Sequence, residues 1–141
     1  MNKVIKNTIL VGLVIVSAGV VKATENYYQS TLQVGYPYKL IGQFRNYGAG
    51  EQRIELNKAY ASSAPYQTIR VEYQQKNLIG THSIDTQEVK IVNDEHMDST
   101  IPLSFGTQAK SGKRRYIFYN DLPNQKYTAV YAKDVRMYPK A

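Results

Sequence analysis

The chain has 141 residues, with 18 Lys and Arg against 11 Asp and Glu, a formal charge of +7, 13 tyrosines, no tryptophan and no cysteine. The missing cysteine excludes disulfides, thiolate metal sites, a cysteine nucleophile and a lipoprotein lipid anchor. The length suits one domain that buries about two-thirds of its unfolded surface without covalent staples, and the basic surplus directs attention to anionic partners.

In chain order, Lys3 and Lys6 precede an apolar run from Ile9 to Val21, and Val21-Lys22-Ala23 sets small or aliphatic side chains around a cut. This is the pattern of an export signal over residues 1–23, and the run is well short of the roughly 20 apolar residues of a membrane-crossing helix. The expected product is a secreted domain of residues 24–141 with no transmembrane segment. Loss of Lys3, Lys6 and Lys22 lowers its formal charge from +7 to +4.

Beyond the cut, β-branched and aromatic residues recur in short runs separated by Gly, Pro, Asn, Asp and Ser. The runs are Tyr28 to Val34, Tyr38 to Arg45, Gln52 to Leu56, Tyr66 to Gln74, Glu88 to Val92, Thr100 to Phe105, Arg115 to Tyr119 and Tyr127 to Lys133. In the clearest of them Ile69, Val71 and Tyr73 alternate with Thr68, Arg70, Glu72 and Gln74, the pattern of a strand with one buried face. Turn chemistry fills the intervals at Asn46 to Gly50, Ser62 to Pro65, Asn93-Asp94, Ser111-Gly112 and Asn120 to Asn124. About eight strands at this spacing, without helices between them, predict an all-β fold, a single antiparallel β-sandwich. Pro102 cannot donate to a sheet ladder and predicts an edge strand or a bulge for its run.

The chemistry-bearing residues are sparse. His82, beside a strand-like Leu78-Ile79, and His96 are the only histidines. Asp94-Glu95-His96-Met97-Asp98 gathers carboxylates but lacks the glycine and terminal glutamate of a helix-loop-helix calcium loop, so it reads as a solvated loop. Ser104 lacks the first glycine of a Gly-x-Ser-x-Gly elbow and a following helix. Asn46 to Gly50 has no lysine with which to cradle phosphate. Carboxylates paired only in space leave a small secreted hydrolase as a third reading. No catalytic residue, metal or cofactor is expected.

Two distributed features say more. Tyrosines crowd the N-terminal third at Tyr27, Tyr28, Tyr36, Tyr38 and Tyr47, where they either cover sheet faces or form a stacking surface for a partner. Charge is divided unevenly: Gly106 to Ala141 has a net charge of +6, and Thr24 to Phe105 one of −2. Lys110, Lys113, Arg114 and Arg115, followed by Tyr116, look like a solvated hairpin tip, which Lys126, Lys133 and Arg136 extend into a candidate binding surface for polyanions.

The signal, the Lys, Asn and Tyr content and the lack of cysteine resemble those of small exported single-domain proteins of low-GC Gram-positive bacteria. That likeness implies export and assigns no site residues. The function expected from the sequence is a secreted, non-enzymatic binding module for an anionic cell-surface polymer, a lipid headgroup or a protein partner. A secreted antibacterial or membrane-active toxin is the alternative, and export argues against nucleic acid as the natural target.

Overall fold

The computed structural model describes residues 26–94, 96, 98–123 and 127–141; the expected signal at 1–23 and Lys126 lie outside them. Among the described residues there are nine strands and no helix. They are β1 Tyr28–Val34, β2 Lys39–Ile41, β3 Arg45–Tyr47, β4 Gly50–Ala61, β5 Tyr66–Asn77, β6 Gly80–Val92, β7 Thr100–Gln108, β8 Gly112–Tyr119 and β9 Val130–Tyr138.

All pairings are antiparallel, and they build two packed sheets, the β-sandwich expected. One sheet has the order β1-β9-β4-β7; the other has the order β2-β8-β5-β6, with β3 also on β8. The inward faces supply the core: Leu32 and Val34 of β1, Ile54 and Leu56 of β4, Ile69, Val71 and Tyr73 of β5, Phe105 of β7, Tyr116 and Phe118 of β8, and Val130 and Val135 of β9. Alternation of apolar and polar residues along most of these segments places them there, since neighbouring side chains point to opposite faces. Pro102 sits in β7, an edge strand, one of the two places the sequence predicts for it.

Four runs differ from the sequence expectation for local physical reasons. The run from Tyr38 to Arg45 divides into β2 and β3 at Gly42, which donates to Tyr116 O at 2.9 Å and where any Cβ would lie 2.7 Å from that oxygen. β4 and β9 are longer than expected because each shifts phase once. Leu56 and Ala59 are both inward in β4, as are Val135 and Ala132 in β9, and these pairs face each other across a matched kink. Lys58, within that kink, takes a positive φ of 56°. Finally, Gly80 to Gln87 is strand although it carries no apolar alternation, and its residues through Ser83 are exposed. Leu78-Ile79 is therefore the two-residue turn of a hairpin, not part of a strand.

Candidate functional site

Strand register decides which charges meet. β8 pairs with β3 at Arg114↔Arg45, Lys113↔Asn46 and Gly112↔Tyr47, and with β5 as far as Arg114↔Gln75. Lys140 bridges Tyr47 beside them. One end of the sandwich thus collects Lys110, Lys113 and Arg115, which the sequence pattern picks out as site residues, together with Arg45, Lys76 and Lys140. Aromatic rings hold several of these in place. Arg115 lies over Phe44 at 4.3 Å and Lys76 over the same ring at 5.6 Å; Arg45 and Lys140 share the ring of Tyr28, at 4.9 and 5.4 Å. Each ring draws two cations toward one spot through its negative face. Lys110, Lys113 and Lys140 are exposed, and Glu51 at this end is engaged by Ser104 Oγ at 3.0 Å.

Arg114 and Tyr116 are not part of that surface. The solvated tip expected from Lys110 to Arg115 overlooks strand alternation: Arg114 has the parity of Tyr116 and Phe118 and turns inward with 1% exposure. Its guanidinium ties four segments together. Nε donates to Gln75 Oε1 at 2.7 Å, Nη2 to Lys110 O at 2.6 Å, and Nη1 to Gln52 Oε1 at 3.1 Å and Gly48 O at 3.4 Å. Gln52 Nε2 also donates to the Gly48 and Gly50 carbonyls, and Tyr73 OH donates to Gln52 Oε1 at 2.6 Å. The buried cation therefore fixes the floor beneath the basic end and leaves recognition to its neighbours.

Tyr116 belongs to the same interior. Its ring stacks on Tyr73 at 4.2 Å and meets Phe105 edge-on at 5.2 Å, while Tyr47 stands edge-on to Tyr73 at 5.7 Å. Burial pushes the Tyr73 hydroxyl up to about 12, and raises those of Tyr47 and Tyr116 as well.

Lys133 and Arg136 fall elsewhere. Lys133 lies in the β4–β9 kink, and Arg136 is held by Asp134 at 2.9 Å and lies over Tyr27 at 4.9 Å. Many tyrosine faces are already covered, as Tyr138 is by Arg53 at 3.8 Å, or paired, as in the stacked Tyr60–Tyr131. Tyr38, Tyr66 and Tyr127 are exposed toward the opposite end, where Lys90 lies over Tyr66 at 4.3 Å and Tyr36 meets Tyr127 edge-on at 4.9 Å. Asp94 closes its own loop by accepting from His96 N, Asp98 N and Ser99 Oγ, the last at 2.7 Å. Ser104 is exposed on the edge strand.

Sequence reasoning missed Arg45, Lys76 and Lys140 as site residues because only pairing brings them to this end. The missed hairpin tip had a weak signal in Asn77 and Gly80, residues that favour turns and flank Leu78-Ile79. Among the described residues, no helix is long and apolar enough to cross a membrane.

No protein-family model and no curated protein matches the chain. Among solved structures, it is similar to a chain in the structure of infectious bursal disease virus, Gt strain, with 11% identity and a TM-score of 0.38, over 82% of this chain and 29% of that one. It is also similar to a family two carbohydrate esterase from Cellvibrio japonicus, with 13% identity and a TM-score of 0.27, over 81% of this chain and 36% of that one. The chain thus spans about a third of the length of each.

Proposed function

We propose that the protein is a secreted, non-enzymatic binding module that docks an anionic surface through the basic end of its sandwich. One observation carries this reading: six cations converge at that end, Arg45, Lys76, Lys110, Lys113, Arg115 and Lys140, four of them over aromatic rings, with little opposing carboxylate. Clustered exposed cations of this kind contribute little to folding, yet their fields add in attracting a polyanion. The phosphates of a wall polymer or of lipid headgroups present that chemistry, and the expected export signal would deliver the protein to such surfaces.

The variant Lys110→Ser, Lys113→Ser, Lys140→Ser tests this. All three side chains are exposed. The variant should melt within a few degrees of the unmodified protein while binding phosphatidylglycerol-containing vesicles roughly a hundredfold more weakly, from about 1 kcal/mol lost per lysine. Binding of the unmodified protein should weaken similarly between about 0.05 and 0.5 M salt, as the screening length falls from roughly 14 to 4 Å. Equal affinity of the two proteins at low salt would remove the basic end from the account.

A further inference from the structure

The β5–β6 hairpin ends in the least economical pair of side chains on the surface: Leu78 and Ile79 are 106% and 100% exposed. Nothing in the fold selects them. They occupy a two-residue turn between the paired Asn77 and Gly80, a place that turn geometry leaves open to most residues, and they are fully exposed. β8 accompanies β5 only to Gln75, so the tip continues about 7 Å beyond the last β5–β8 pair with no strand but its own partner beside it.

The surroundings of the tip indicate what it meets. From Gln74 to Ile84 the hairpin contains no carboxylate but carries Lys76 and His82. Lys76 shares the Phe44 ring with Arg115, and the exposed Lys113 lies on the same strand as Arg115, next to the last β5–β8 pair at Gln75. Two aliphatic side chains therefore project from a collar of cations on a narrow, convex point. An apolar point ringed by cations matches a bilayer with anionic headgroups: aliphatics enter the acyl boundary, and lysines remain at the phosphates.

We infer that Leu78 and Ile79 insert into the interfacial layer of an anionic lipid bilayer while Lys76, Lys110, Lys113 and Arg115 hold the surrounding headgroups. This rests on the anionic-surface reading above and narrows it to lipid. Association takes the form of shallow anchoring by one hairpin tip, and its affinity depends on both apolar contact and charge.

The absence of tryptophan from the chain gives a direct test. In the expected secreted form, residues 24–141, Leu78→Trp supplies a single reporter at a fully exposed position. With vesicles of phosphatidylglycerol and phosphatidylcholine, its emission should shift to the blue and be quenched by brominated acyl chains. With heparin as a soluble polyanion, the protein should bind without the shift. The variant Leu78→Ser, Ile79→Ser should lose at least about tenfold in vesicle affinity and keep its heparin affinity and its melting temperature. Vesicle binding with water-like, unquenched emission would overturn tip insertion and leave the anionic-surface reading standing. A blue shift with heparin or an added protein, but not with vesicles, would also overturn it. Failure of the unmodified protein to bind either probe at low salt would overturn both readings.

Discussion

Replacing Arg114 by alanine should lower the free energy of unfolding by about 2–4 kcal/mol, because several buried acceptors lose their donor at once. Gln52 Oε1, Gln75 Oε1 and the carbonyl of Lys110 each accept from the guanidinium within 3.1 Å, so its removal takes a donor from β5 and from the turn before β8 and leaves Gln52 Oε1 only the Tyr73 hydroxyl. In a domain of this size, the melting temperature should fall by roughly 10 °C. Arg114→Lys should recover only part of the loss, since an ammonium is a compact donor and cannot reach all the acceptors that the planar fork spans. Urea unfolding of the three proteins measures this. A loss below about 0.5 kcal/mol for the alanine variant, the range of ordinary surface substitutions, would contradict the tie between the segments. The solvated tip expected from sequence would have made Arg114 freely replaceable; its burial makes Lys110, Lys113 and Lys140 the proper set for removing charge.

Unfolding in alkali should be steep, and it should report the tyrosine interior. Burial holds the hydroxyls of Tyr47, Tyr73 and Tyr116 above their ordinary value of 10.0, that of Tyr73 at about 12. A group whose pKa is raised in the folded state contributes stability that is fully present below its unfolded pKa and is lost as pH rises toward the folded one. Each of these tyrosines should therefore cost up to about 1.4 kcal/mol of stability per pH unit above roughly 10, and the three together about 4. A domain of ordinary stability, about 5–15 kcal/mol, would be exhausted within a few pH units. Phenolate absorbance should show a steep rise coincident with loss of the β-sheet circular dichroism as the buried Tyr47, Tyr73 and Tyr116 ionise. A single smooth titration of all the tyrosines, with the sheet signal unchanged, would contradict a closed aromatic interior.

Much of the sandwich is legible where alternation is strong. Tyr28 to Val34 and Ile69, Val71 and Tyr73 announce themselves because one face is apolar and the other is not. Legibility fails where parity slips or polarity is uniform. The matched kink near Lys58 and Lys133 hides the later half of β9, and the exposed start of β6 carries no apolar signal. The basic run is visible in the sequence, yet two neighbours in it separate completely: Lys113 faces water and Arg114 lies in the core, a consequence of the period of two along β8. Arg45 and Lys76 join the same end only through pairing between strands distant in sequence, which composition does not encode.

The most direct test of docking through the basic end is to map the contact by amide chemical shifts of the expected secreted form, residues 24–141, as an anionic bilayer nanodisc is added. Perturbation and broadening should concentrate at Asn46, Lys76 to Gly80, Lys110 to Lys113 and Lys140, and should be absent from Tyr38, Tyr66 and Tyr127 at the far end. Perturbations centred on those far tyrosines, with the basic end silent, would contradict the account.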